Sequence, residues 1–130
     1  RQCKSALLIA KFLEKHKKVK QVNYPGLLSS KSHNKGKELL CGFGGMLSFI
    51  IEGGVQAADA FIGKLDIPIS TASLGGVESL ITRPVQTSHS LLSDKELQFA
   101  GIDKSLIRMS VGIESVNDLM DDISQALDLI

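Results

Sequence analysis

Ser105-Leu106-Ile107-Arg108-Met109-Ser110-Val111-Gly112-Ile113 alternates with a period of two. That period puts Ile107, Met109, Val111 and Ile113 on one face of an extended strand and Leu106, Arg108, Ser110 and Gly112 on the other. A guanidinium in the middle of so apolar a strand is costly to desolvate unless acceptors surround it, and its planar fork matches a carboxylate or phosphate taken bidentately. Arg108 is therefore the first candidate ligand-binding residue. The same spacing also fits an arginine that extends its head to water from an edge strand or pairs with an internal acid, so the pattern alone leaves both roles open.

Working outward, 130 residues suit one domain, residues 1–130, long enough to bury roughly two thirds of the unfolded surface in one core. Fifteen basic and fourteen acidic residues leave a net charge of +1, so no global field favours nucleic acid or an anionic membrane. Cys3 and Cys41 lie far apart and form no C-x-x-C pair, which points to reduced thiols in a cytoplasmic protein and to no metal site. No apolar run approaches the roughly 18 residues that span a bilayer, and no membrane association is expected. Arg1-Gln2-Cys3-Lys4 leads into a helical pattern without an initiator Met or a capping residue, which reads as a cut chain.

Ala6, Ile9, Ala10 and Leu13, widened by Leu8 and Phe12, make the stripe of a first helix that ends near Lys15 or His16. The basic run that follows, Lys15 to Lys20, is short and lacks interleaved aromatics, so it reads as a solvated helix exit rather than a nucleic-acid patch. Val19 to Tyr24 is a strand stopped by Pro25-Gly26, and a short helix is expected near Asn34 to Leu40, with His33 at the surface. Gly42, Gly44 and Gly45 precede a strand, Met46 to Ile51, instead of following one, and are read as a tight turn rather than a phosphate loop. Gly53-Gly54 opens a helix with Val55, Ala58, Ile62 and Leu65 on one side, and Ile69 to Ala72 is the next strand. In Ser73-Leu74-Gly75-Gly76 the glycines let backbone approach a ligand or a neighbouring loop. Thr82 to Ser90 is read as an extended polar segment in which His89 beside serines makes no hydrolase triad. Ser93-x-x-Glu96 is a capping box ending before Gly101. Ser115 caps a last helix with Val116, Leu119, Met120, Ile123, Ala126, Leu127 and Ile130 as its buried stripe. Four strands and three or four helices predict an α/β (α+β sandwich) domain: a mostly antiparallel sheet covered by helices on one face, with Arg108 on the open one.

Four stretches together carry a family resemblance. Val22-Asn23-Tyr24-Pro25-Gly26-Leu27, Gly42-Phe43-Gly44-Gly45-Met46-Leu47-Ser48-Phe49, Ser73-Leu74-Gly75-Gly76-Val77-Glu78-Ser79-Leu80 and Leu106-Ile107-Arg108-Met109-Ser110-Val111-Gly112-Ile113-Glu114 occur in the order seen in the pyridoxal-phosphate-dependent sulfur amino acid enzymes. Over essentially its whole length the chain resembles the C-terminal domain of cystathionine γ-synthases, cystathionine β- and γ-lyases, methionine γ-lyases and O-acetylhomoserine sulfhydrylases. The resemblance implies the small domain of PLP fold-type I, folded over a larger cofactor domain that is absent from this chain. It implies that Arg108 binds the substrate α-carboxylate. It also implies that Ser73 is catalytic, orienting the cofactor lysine or the substrate, and that Ser88, before His89, is substrate-binding.

The cofactor, pyridoxal 5′-phosphate, would be held by the upstream domain. Lys31, Lys35 and Lys37 lack the neighbours expected of the cofactor lysine. Ala72 stands where many γ-lyases of the family place an acid, which keeps synthase, sulfhydrylase and methionine lyase subtypes open. The partners implied are a small amino-acid substrate, the upstream domain and, for the parent, a homotetramer, whose chemistry is β/γ-elimination or γ-replacement. The isolated chain is expected not to be catalytically competent alone. The alternative is a free-standing, non-catalytic α/β module that binds an amino-acid carboxylate.

Overall fold

A computed structural model describes residues 1–130 as a two-layer α/β sandwich. The sheet has five strands, β1 (Val19–Asn23), β2 (Met46–Ile51), β3 (Ile69–Ser70), β4 (Leu80–Thr82) and β5 (Ile107–Ser110). Their order across the sheet is β1-β2-β5-β4-β3. All neighbours are antiparallel except the parallel β3–β4 pair, so the expected mostly antiparallel sheet is found. β5 lies at its centre.

The alternation around Arg108 decides which side the helices take. Ile107, Met109 and Val111 are fully buried and join Leu47, Phe49 and Ile81 in one core with the apolar stripes of three helices. These are α1 (Gln2–Lys15), α3 (Gly54–Ile62) and α5 (Val116–Asp128). Ala6, Ile9, Ala10 and Leu13 of α1 are buried, as are Leu119, Ile123, Ala126 and Leu127 of α5. The two remaining helices, α2 (His33–Leu39) and α4 (Asp94–Phe99), are short and lie outside this core. α4 begins with the expected capping box between Ser93 and Glu96, whose hydrogen bonds hold the Glu96 carboxyl below the usual carboxylate range.

Several expectations are corrected. A fifth strand, β4, falls where the sequence suggested a loop and a polar segment, because Leu80-Ile81-Thr82 is too short to show a period and is buried on both sides. β3 is two exposed residues rather than four. Ile113 is 47% exposed, because the strand ends at Ser110 and the chain turns away. Leu8 and Val55 are exposed, and Phe61, not Val55, fills the α3 contact with the sheet, edge-on to Phe49 at 5.8 Å. His33 is half-buried, stacked on Phe43 at 5.2 Å with Nδ1 on the Pro25 carbonyl at 2.9 Å. In the basic run, Lys18 donates to the carbonyls of Leu127 and Ile130 at 2.8 and 2.7 Å. A cation there satisfies the orphan carbonyls at the end of α5 and complements its dipole. No helix is long and apolar enough to cross a membrane.

Candidate functional site

The face of the sheet opposite the helices is polar along one cross-strand row. Register pairs Asn23 with Ser48, Ser48 with Arg108, and Arg108 with Thr82. The row runs across four strands, and at roughly 4.8 Å per strand it places Arg108 near the middle of the sheet. Within the row Asn23 and Ser48 are already paired, Asn23 Nδ2 donating to Ser48 Oγ at 3.1 Å.

Arg108 is half-buried. Its Nη2 donates to the carbonyl oxygens of Ala72 and Ser73 at 2.9 and 3.3 Å. Its Nε and Nη1 make no hydrogen bond, and no carboxylate lies within ion-pair distance. The internal-acid alternative left open by the spacing is thereby excluded. Two carbonyl dipoles orient the guanidinium without neutralising it, so a net positive charge with free donors faces the uncovered side of the sheet.

The loop that supplies those carbonyls joins β3 to β4 and packs along β5 and its continuation. Gly75, at φ +77°, takes a backbone conformation that costs a side-chain-bearing residue energy, and its N–H donates to Ser110 Oγ at 2.8 Å. Further along, Ser79 is fully buried; it donates to the Glu114 carboxylate from both N and Oγ, the latter at 2.9 Å, and accepts from the Gly112 N–H at 2.9 Å.

The structure thus brings Arg108 and Ser73 together through the Ser73 carbonyl; the Ser73 hydroxyl is exposed and makes no hydrogen bond within the chain. Ser88 is not brought to them by any hydrogen bond. Its hydroxyl pairs with Nδ1 of the adjacent His89 at 2.8 Å. Sequence reasoning missed Ser110, Ser79 and Glu114. Parity put Ser110 on the Arg108 face, but nothing local says that its partner is 35 residues away. It also missed Arg83, which is 5% exposed and bidentate on Asp59 at 2.7 and 2.8 Å.

No lysine amine joins the Arg108–Ser73 hydrogen bonds. The Lys18 amine is bonded to carbonyls at the C-terminal end of α5 and that of Lys104 to Asp94, while Lys31, Lys35 and Lys37 are exposed on α2 and the loop before it. The donors and acceptors assembled here make a seat for an anion. They do not make a seat for a covalently held aldehyde cofactor, which needs a lysine amine.

Comparison with known proteins agrees over the whole chain. Residues 1–128 match the sequence model of the family described as Cys/Met metabolism PLP-dependent enzyme. Cystathionine γ-lyase of Dictyostelium discoideum is 46% identical over 125 residues, 96% of this chain and 32% of the relative. Cystathionine γ-synthase of Xanthomonas oryzae pv. oryzae, solved with cystathionine, superposes with a TM-score of 0.94 at 39% identity over 98% of this chain and 33% of that one. A Campylobacter jejuni structure described as an O-acetylhomoserine (thiol)-lyase carries N′-pyridoxyl-lysine-5′-monophosphate and superposes with the same score of 0.94 and identity of 39%, over 98% of this chain and 30% of that one. The chain spans about a third of the length of these relatives. On the family match, the sequence identity and the superposition, the chain belongs to the pyridoxal-phosphate-dependent enzymes of cysteine and methionine metabolism.

Proposed function

We propose that residues 1–130 are the C-terminal domain of a pyridoxal-phosphate-dependent sulfur amino acid enzyme and that Arg108 receives the α-carboxylate of its amino-acid substrate. The observation that carries this reading is the guanidinium held by two carbonyls, with Nε and Nη1 free and no internal carboxylate. A carboxylate arriving on the open face would find Nε–H and Nη1–H unspent on a guanidinium whose charge no internal acid cancels, and charge-assisted hydrogen bonds of this kind are strong. Ser73 stands beside it as the residue whose backbone orients the fork and whose hydroxyl is free for substrate. Ser88 is retained as a second hydroxyl for substrate, reached only if the ligand or a further domain draws it in.

The cofactor belongs in this reading to an upstream domain; when bound, it withdraws electrons from the bonds at the substrate α carbon. The chain's own contribution is to bind and aim the substrate by its carboxylate. The parent enzyme would act by elimination or replacement at the β or γ carbon and assemble as a homotetramer.

The test is Arg108→Ala in the protein that joins this chain to its cofactor-binding portion. Loss of a charge-assisted pair of roughly 1.5–3 kcal/mol lowers kcat/KM on the order of ten- to a hundredfold while cofactor absorbance stays intact. Arg108→Lys rescues little, because a point charge does not reproduce the fork. Unchanged kcat/KM in Arg108→Ala, with folding intact, would overturn the reading and leave the non-catalytic module as the better account.

A further inference from the structure

We propose that Ser110 is a positioning residue for Arg108, acting through the Ala72–Ser79 loop; the proposal rests on the reading of Arg108 as the carboxylate receptor. Ser110 lies two residues beyond Arg108 on β5, hence on the same face. It is buried, and its hydroxyl accepts the Gly75 N–H at 2.8 Å.

Apolar burial does not hold the loop in place. Leu74 and Val77 are 56% and 65% exposed, and residues 72–75 and 77–78 are all exposed. Polar contacts to every second residue of β5 and its continuation set its position instead. Arg108 takes Ala72 and Ser73, Ser110 takes Gly75, and Gly112 with Glu114 takes Ser79. The Gly112 position admits no side chain, since a Cβ there would collide with the Val77 carbonyl and the Glu114 carboxylate. The far end of the loop is therefore clamped independently of Ser110, by Ser79 and by the Ile113 N–H on the Val77 carbonyl at 2.8 Å.

At the near end, within Ala72 to Gly75, the side chains that hold the loop are Arg108 and Ser110, and Gln2 Nε2 donates to the carbonyl of the following Gly76 at 2.8 Å. The carbonyls that aim the guanidinium belong to this near end. Removing the Ser110 hydroxyl leaves the far clamp and the core untouched but frees the segment whose position sets the direction of Nε and Nη1. A preorganised fork then becomes a mobile one, and the ligand must supply the ordering.

The experiment follows the Arg108 Nε–H and Gly75 N–H resonances of the 130-residue chain in titrations with L-methionine and with L-methioninamide, which lacks the carboxylate. In the wild type L-methionine shifts Arg108 Nε–H and the amide does not. Ser110→Ala weakens L-methionine binding roughly three- to tenfold and speeds hydrogen exchange at Gly75, with exchange in the helices unchanged. Ser110→Thr, which returns an acceptor, restores both. If Ser110→Ala does not fold, Ser110→Cys, which keeps the volume and weakens the acceptor, gives the same two readouts. A wild type whose Arg108 responds to L-methionine, together with a folded Ser110→Ala that titrates identically, overturns the positioning role alone. A wild type whose Arg108 responds to neither probe overturns the carboxylate reading and the positioning role with it.

Discussion

Arg83 and Arg108 are near neighbours, since Arg108 on β5 pairs across the ladder with Thr82, the last residue of β4 and the one before Arg83. Arg83 has all three guanidinium nitrogens engaged: Nε and Nη2 on the Asp59 carboxylate at 2.7 and 2.8 Å, and Nη1 on the Lys104 carbonyl at 2.8 Å. Arg108 engages Nη2 alone, and only with carbonyls. Arg83 is nearly inaccessible and Arg108 is half-buried. The same side chain is in one place an internal brace whose charge is cancelled and whose donors are spent, and in the other a cation whose charge, with Nε and Nη1, is kept available. What separates them is whether the fold delivers a carboxylate, as α3 does with Asp59 for Arg83 and no element does for Arg108.

The comparison breaks first at the brace. Asp59→Ala leaves a buried guanidinium with one carbonyl, and removing one partner of a buried pair costs about 3–5 kcal/mol. Because the Asp59 side chain is itself 47% exposed, the lower end, about 3 kcal/mol, is expected from the urea midpoint. A loss below about 1 kcal/mol would make Arg83 no more structural than Arg108. At the receptor the expectation reverses. Arg108→Ala changes folding stability by less than about 1 kcal/mol, since it leaves no buried charge unpaired. Its effect appears in the tenfold or greater loss of kcat/KM, and thermal unfolding of the variant beside its kinetics separates the two.

The third prediction concerns acid. Hydrogen bonds from the Ser105 hydroxyl and then its backbone N–H, at 2.6 and 2.7 Å, hold the Asp103 carboxyl below the usual carboxylate range. A lowered value in the folded state means that the unfolded chain binds the proton more readily. The contribution of Asp103 is therefore complete above the unfolded value near pH 4 and is lost as the pH falls through the folded value. Asp103 is exposed, so the effect is below about 1 kcal/mol. Asp103→Asn should abolish that part of the acid sensitivity, read from urea midpoints between about pH 5 and pH 2.

The smallest expected effect is at Lys104. Its amine pairs with Asp94 at 2.8 Å, with both side chains more than half exposed. Lys104→Ala keeps the carbonyl that Arg83 uses and removes only a surface pair, which costs roughly 0–1 kcal/mol and less in high salt. A larger, salt-independent loss would show that the brace depends on the side chain and not on the backbone.

What could be read along the chain was whatever repeats within a few residues. The α1 stripe of Ala6, Ile9, Ala10 and Leu13, the strand Met46–Ile51, the Ser93–Glu96 capping box and the Ser115 cap all depend on residues close by along the chain, and all are found. β4 escaped because three residues carry no period. Arg108 was legible as unusual, since a guanidinium interrupts an apolar alternation, and the order of four motifs carried the family.

Counting by two along the chain is enough to put Ile107, Met109 and Val111 on one buried face and to turn Arg108 away from it, because side chains alternate on a pleated strand. Only the tertiary structure decided which arginine would be neutralised. Asp59 reaches Arg83 across 24 residues, and the carbonyls of Ala72 and Ser73 reach Arg108 across 36 and 35. Such pairings depend on where the sheet order β1-β2-β5-β4-β3 sets each loop. No local pattern encodes them, because the energy of a charge depends on what lies within a few ångströms in space and not on its neighbours along the chain.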